Sequence, residues 1–240
     1  MWLTLDLSVS GANAQNAYCV YGHPSPLAFI GFAHALCERS GMKQMSGVLA
    51  VLRHYRPKSI KVNNDDMFAI MRGAERDVDG ESQIDTPRAD LGVSLAFEVV
   101  AAELDIAAIQ LSVLAGMRFA GGVLVSSKMR VHDDMLQAFR CLRGFVMRAE
   151  ALPPSDDPVG SLLEAISINS KTGSGWVTPS LRGLRLIDDP QRKPGARGGH
   201  PHAYADPLIG VVRFESVQSA TVADLWRMER HDNLIHFTTA

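Results

Sequence analysis

Between Gly11 and His23 the chain gathers side chains suited to reading single-stranded nucleic acid: amides on Asn13, Gln15 and Asn16, phenol rings on Tyr18 and Tyr21, and an imidazole on His23. Amides pair with base edges and aromatic planes stack on unpaired bases. Asn and Gln are also ordinary loop residues, so the run reads as a plain connection too. Arg118 stands just before Gly121-Gly122. Backbone N–H groups can approach a phosphate at glycines and a guanidinium can grip it with two bonds, although a turn with a surface ion pair fits the same residues. Two basic stretches add to this. One holds Arg53, Arg56, Lys58, Lys61, Arg72 and Arg76, diluted by Asp65, Asp66 and Glu75. The other holds Arg182, Arg185, Arg192, Lys193 and Arg197, interrupted by Asp188 and Asp189. Each reads either as solvated surface or as a strip for phosphates.

Other chemistries find less support. His200-x-His202 near Asp206 has no cysteine partner and no third histidine at ligand spacing, so no metal site is expected. His34 lies inside an apolar helical run and reads as a packed histidine. No phosphate loop, dinucleotide fingerprint, serine elbow or H-E-x-x-H helix occurs, and no cofactor is expected. The formal net charge of -2 does not announce a nucleic-acid binder, but phosphate binding depends on where cations sit. Cys19, Cys37 and Cys141 show no C-x-x-C spacing, which suits a reducing cytoplasm. No secretory leader or membrane span is visible in the sequence, so a cytoplasmic protein without membrane contact is expected.

The elements that must position these residues are legible in outline. Trp2 to Val9 alternates with period two and predicts a strand. Ser25 is a fitting N-cap, Pro26 a fitting first helical residue and Gly41 a stop, which predicts a helix to Ser40. Gly47 to Tyr55 and Leu91 to Val100 read as strands. Between them Pro57 to Ala89 carries turn signals at Asn63-Asn64, Asp79-Gly80 and Pro87 and reads as a β-hairpin arm. A helix over about 105–115, a strand at Val123 to Ser126 and an amphipathic run from Asp133 to Leu142 follow. The order β-α-β, arm, β-α-β is that of a ferredoxin-like domain, which makes the expected class α+β. The run from Pro153 to Pro158 marks a boundary, giving a first domain over 1–152 with its arm at about 57–90, and a C-terminal extension over 153–240 that contributes to the same core. In that extension Val159 to Ile168 reads as helix, about 188–206 as a flexible loop, and Pro207 to Phe214 as strand. Thr221 is expected to cap a short helix through Met228.

The loop and first helix together resemble the second subunit of the Csy, or type I-F, CRISPR surveillance complex, a protein of the Cas-five group. The family reads roughly N-A-N-A, a spacer, then W-G-F-P-S-P-x-A-F-x-G-F-x-H-A-L. Here the matches are Asn13, Gly22, Pro24, Ser25, Pro26, Ala28, Phe29, Gly31, Phe32, His34, Ala35 and Leu36, with Tyr21 and His23 at the family's aromatic and phenylalanine positions. In the same order along the chain, Met117 to Gly122 resembles M-R-L-A-G-G and Gly144 to Glu150 resembles G-F-A-L-V-S-R-E. Gly175-Trp176-Val177-Thr178-Pro179 resembles G-W-L-V-P, and Asp224 to Met228 and Leu234 to Phe237 resemble the closing pieces.

The resemblance implies a ferredoxin-like (RRM or RAMP) fold with a long β-hairpin arm and a smaller C-terminal α/β appendage. It also implies a non-catalytic subunit of a Cascade ribonucleoprotein in antiviral and anti-plasmid defence, which binds and caps the 5′ handle of the crRNA. Asn13, Gln15, Asn16, His23, Ser25 and Arg118 would approach the handle, with Arg53, Arg56, Lys58 and Lys61 supplying phosphate contacts. The partners implied are the crRNA, a Cas-seven-type backbone subunit, a large subunit where one exists, and target DNA near the PAM. The alternative is a metal-independent endoribonuclease that processes precursor crRNA, for which His23, His54, Tyr55 and Lys58 are the candidate acid and base groups.

Overall fold

A computed structural model describes residues 1–17, 20–43, 45–62, 65–68, 70–71, 86–101, 105–152, 154–167, 176–193 and 201–239. The chain begins with β1 (Trp2–Asn13), in which Leu3, Leu5, Leu7 and Val9 point to one buried face, as period-two alternation dictates. Two short strands, β2 (Gln15–Ala17) and β3 (Val20–Tyr21), pair across the polar loop. Helix α1 (Pro26–Ser40) follows with Pro26 in its first turn, and ends at Gly41, whose φ of 70° and N–H to Cys37 and Glu38 carbonyls close it. Ser25 is extended as an N-cap must be, but its hydroxyl makes no capping bond.

Next comes β4 (Val48–Pro57). Within the expected arm, β5 (Ser59–Val62) and β6 (Asp65–Phe68) pair antiparallel, and β7 (Ile70–Met71) pairs with the start of β8 (Thr86–Glu98). Then follow α2 (Ile106–Leu114), β9 (Arg118–Phe119), β10 (Gly122–His132), α3 (Met135–Arg140) and β11 (Phe145–Glu150). Asp105 and Asp134 cap their helices by accepting from the Ala108 and Gln137 N–H groups. The C-terminal part holds α4 (Pro158–Ala165), β12 (Trp176–Leu186), β13 (Ala205–Ser216), β14 (Leu225–His231) and β15 (Leu234–Thr239).

The protein is α+β, dominated by one large antiparallel sheet with few helices. Its central strands run in the order β4-β8-β1-β10, each pair antiparallel. On one face α1 lays Phe29, Phe32 and Leu36 against the inward leucines of β1, and Phe119 meets both phenylalanines edge-on or tilted at 5.0 and 5.7 Å. On the other, α3 sets Ala138 and Phe139 over Trp2, Leu49, Val51 and Ala96. None of the helices among the described residues is long and apolar enough to cross a membrane.

The C-terminal strands continue this sheet and close on it. β4 gives one edge to β8 and shares the other between β14, at Val48 and Leu49, and β11, at Val51 and Leu52. Since β11 pairs with β13, β13 with β12, β12 with β15 and β15 with β14, the six strands make a closed circuit. Trp226 fills its interior beside Phe214 and Phe237, and its Nε1 donates to the Met147 carbonyl at 2.7 Å. The Arg182 guanidinium lies 5.4 Å over the Trp226 ring and donates to the carbonyls of Glu150, Val211 and Phe237 at 3.2, 2.8 and 3.0 Å.

One expectation for this region needs correcting. Thr221 does begin a capping box with Asp224, but the helix stops after one 3-10 turn at Val222 to Asp224. Leu225 and Trp226 are instead taken as edge partners by β4, so the rest is strand β14. In the described part of 188–206, Gln191 and His202 exchange backbone bonds, and Lys193 pairs with Asp188 while lying 3.7 Å over the Tyr204 ring. Residues 194–200, with His200 and Arg197, lie outside the described residues.

Arg182 is bonded to main-chain oxygens of three circuit strands, β11, β13 and β15, so truncating it strands three acceptors. Arg182→Leu is expected to lower the free energy of urea unfolding by about 2–4 kcal/mol, whereas Arg185→Leu, an exposed pair with Asp206, should change it by less than about 1 kcal/mol.

Candidate nucleic-acid interface

The polar loop is anchored at both ends by backbone bonds. The Asn13 N–H donates to Ala120, that of Ala14 to Pro87 and that of Gly22 to Ala14, at 2.8 to 2.9 Å. Asn13 turns its Oδ1 back to the Gln15 N–H at 2.8 Å, the side-chain turn this residue favours. Asn16 and His23 are buried and lock the loop to β12. Asn16 Nδ2 donates to the His23 carbonyl at 3.2 Å and its Oδ1 accepts from the Leu181 N–H at 3.3 Å. The His23 ring lies 2.9 Å from the Pro24 oxygen through Nδ1 and 3.2 Å from that of Pro179 through Nε2. Burial pulls His23 below its ordinary value, against the raising effect of those two carbonyls, so the imidazole is held neutral. Gln15 and Ser25 are half-buried and Tyr21 is exposed. Tyr18 lies outside the described residues.

Below this loop, a corner of the sheet gathers cations. Lys58 reaches Ser10 Oγ at 3.2 Å and Asp90 at 3.3 Å. Asp90 also accepts from Ser10 Oγ and the Gly11 N–H, and these bonds with Lys58 hold its carboxyl low although burial opposes them. Arg88, opposite Asn13 in register, donates to the Gly11 carbonyl at 3.3 Å. Arg118 donates to the Gly121 carbonyl at 3.3 Å. Arg56 is exposed opposite Asp90, and Arg53 sends Nη2 to the Leu7 carbonyl at 2.7 Å with its Nε buried and unpaired. Of these five cations, Lys58 alone bonds a carboxylate among the described residues. The Lys61 side chain lies outside the described residues.

The glycines after Arg118 have conformational and packing reasons. Ala120 and Gly121, at φ 47° and 74°, make the tight turn from β9 to β10, and a Cβ on Gly122 would sit 2.6 to 2.7 Å from Val9 and the Ala12 backbone. That turn delivers Arg118 beside the same corner as Arg88: a Cβ on Gly121 would lie 3.6 Å from the Arg88 Nη1. Sequence reading missed Arg88. Its signal was the alternation Pro87, Arg88, Ala89, Asp90, which puts Arg88 and Asp90 on one face and Pro87 and Ala89 in the core. The groups proposed for acid–base chemistry do not converge on a shared hydrogen bond. His23 is enclosed, the His54 ring overlies Gly92, and the Tyr55 hydroxyl is buried without a partner, so its pKa is raised. Among the described residues no three His, Cys, Asp or Glu side chains are grouped to hold a metal.

An antiparallel sheet carrying a clamped polar loop beside five cations, four of which bond no carboxylate among the described residues, defines a candidate binder of anionic chains. Residues 3–152 match the family of CRISPR-associated proteins designated Cas_Csy2, and the chain belongs to that family. No match is found among curated proteins. Solved structures similar to the chain include a CRISPR-associated protein Cas6, at 9% identity and TM-score 0.27 with 90% of this chain and 88% of that one covered. A CRISPR protein from Archaeoglobus fulgidus is similar at 10% identity and TM-score 0.28, covering 100% and 98%. Superposition at these levels sets no functional residue in correspondence.

The buried imidazole gives the loop a pH dependence. His23 titrates below 6.5 when folded, so as pH falls the unfolded chain takes up the proton first and stability is lost from 6.5 down towards the folded value. His132 is displaced in the same direction by burial and Arg130 and adds to the loss. Melting temperature should therefore be highest above about pH 7 and fall as pH drops below about 6.5, and His23→Gln should flatten part of that slope. Asp90 and Glu150, held low, act only in the carboxylate range below.

Proposed function

We propose that this Csy2-family protein is a non-catalytic subunit of a CRISPR Cascade-type complex, which binds the 5′ handle of the crRNA at the corner between the polar loop and the ends of β4, β8 and β9. The observation that carries this reading is the set Arg53, Arg56, Arg88 and Arg118, a concentration of charge without a bonded carboxylate among the described residues, on a chain whose net charge is -2. Phosphates that replace the carbonyl contacts of Arg88 and Arg118 gain a bidentate partner. In this reading Asn16 and His23 shape the loop from beneath, while Asn13, Gln15 and Ser25 face the handle. The strand order β4-β8-β1-β10, with α1 and α2 as the crossovers, supports the ferredoxin-like arrangement typical of RNA-binding sheets.

The neighbours in the complex are a Cas-seven-type backbone subunit and, where one exists, a large subunit, with target DNA near the PAM passing close by. Surface for such protein contacts is available at the far side of the sheet, where the edge of β10 turned away from β1 has no strand partner beyond Val123 among the described residues and Leu111, Leu114 and Val125 are exposed. The non-catalytic reading is supported by His23 being enclosed and by His23, His54, Tyr55 and Lys58 sharing no hydrogen bond with one another.

Sequencing of RNA co-purified from cells expressing the genomic neighbours should recover guides with an intact repeat-derived 5′ end; a well-assembled sample free of guide RNA would sink the proposal. With purified protein and a labelled 5′-handle RNA, Arg88→Ala and Arg118→Ala should each weaken binding and reduce the salt slope by about 0.7 for every phosphate that is no longer neutralised. Incubation with precursor RNA without metal should leave it intact, and clean cutting would favour the endoribonuclease instead.

A further inference from the structure

We propose that Trp176 and Phe145 form a stacking platform for an unpaired base of single-stranded RNA; this rests on the RNA-binding reading above. The two rings come from strands far apart in sequence and lie 4.7 Å apart, inclined at 67°. Trp176 is 44% exposed and Phe145 42% exposed, so close to half of a large aromatic surface is left in water. The interior of the strand circuit does not need them, since Trp226, Phe214 and Phe237 already fill it.

The platform is rigid and connected to the polar loop. Trp176 stacks on its cross-strand partner Phe214 at 4.9 Å and 14°, and Phe214 meets the His23 ring edge-on at 5.1 Å. A line of four rings thus runs from the exposed pair to the residue that closes the loop. Phe145 is fixed from the other side. Gly144, at φ 115°, presses on β4 so closely that a Cβ would lie 2.4 Å from the Leu52 carbonyl, and Phe145 pairs with Leu52 itself. The next residue of β4 is Arg53, where the cationic strand end begins. Rings held on strands lose little conformational freedom when a base stacks on them, and the Cα of the cationic residue Arg53 would lie 2.9 Å from a Cβ on Gly144, next to Phe145. Among possible occupants, that combination fits an unpaired nucleotide.

Of the three tryptophans, Trp2 is 7% exposed and Trp226 0%, so solvent-accessible indole emission belongs to Trp176. The full chain would be titrated with an unlabelled single-stranded RNA of roughly twelve nucleotides, and affinity measured separately by anisotropy with the labelled strand. Stacking predicts quenching of the accessible emission, protection from acrylamide, and little competition by the same sequence as a duplex. Trp176→Phe should bind nearly as well but show no quenching. Trp176→Ala and Phe145→Ala should lose between about fivefold and about a hundredfold in affinity with an unchanged salt slope. Trp176→Phe keeps a ring on Phe214 and so serves as the folded control. RNA binding with unchanged emission and full affinity in both alanine variants would overturn the platform and leave the RNA reading intact, pointing to a protein partner for these rings. No RNA binding at all would overturn both.

Discussion

A strand has two hydrogen-bonding edges, and the arrangement of this protein depends on how β4 fills them. β8 occupies one from Leu49 to Pro57; the other is divided between Val48-Leu49, which pair with β14, and Val51-Leu52, which pair with β11. That divided edge joins the family-defining region, residues 3–152, to the C-terminal strands in one hydrogen-bonded system. It also sets the position of everything that enters the candidate site. The loop after β1 docks on β12, Phe145 takes its place from Leu52, and the cations of β4 emerge where the pairing with β8 ends. Burying unpaired backbone groups along a central strand is costly, so the edge cannot be left open in the folded state.

Local sequence revealed those parts of the fold that local physics decides. The Pro26 to Gly41 helix, the placing of α2 and α3 and the period-two burial of β1 depend on residues within a few positions of one another. The conversion of Leu225 to His231 into strand was not legible, because Thr221 and Asp224 do form the capping box that announces a helix. What overrules it is an edge near the other end of the sequence, to which no nearby residue refers. Circuit closure was hidden for the same reason: Arg182 reads as one cation in a basic stretch, yet its three acceptors come from Glu150, Val211 and Phe237.

The candidate site was legible by residue type but not by direction. Asn13, Asn16 and His23 are all polar and all in one loop, yet the fold spends Asn16 and His23 on holding the loop against β12 and engages Asn13 in a turn. Amide and imidazole groups serve equally well as internal fasteners and as external readers. Only burial separates the two uses, and burial here is imposed by Pro179 and Leu181, more than 150 positions away in sequence. Arg88 escaped notice for the converse reason, since its importance comes from Gly11 and Gly121, which it meets only in the folded sheet.

The divided edge also has a consequence in time. A ribosome releases β4 long before β11 and β14, and at roughly 5 to 20 residues per second the stretch up to Leu225 takes on the order of ten to thirty seconds to emerge. Until then the nascent chain holds an incompletely paired strand edge whose sequence, Val48-Leu49-Ala50-Val51-Leu52, is uninterruptedly apolar. Such a segment pairs readily with any other open strand, including its own copy on a neighbouring ribosome. The pace of translation through the middle of the message thus sets how long that edge stays open, a quantity that the finished fold no longer records.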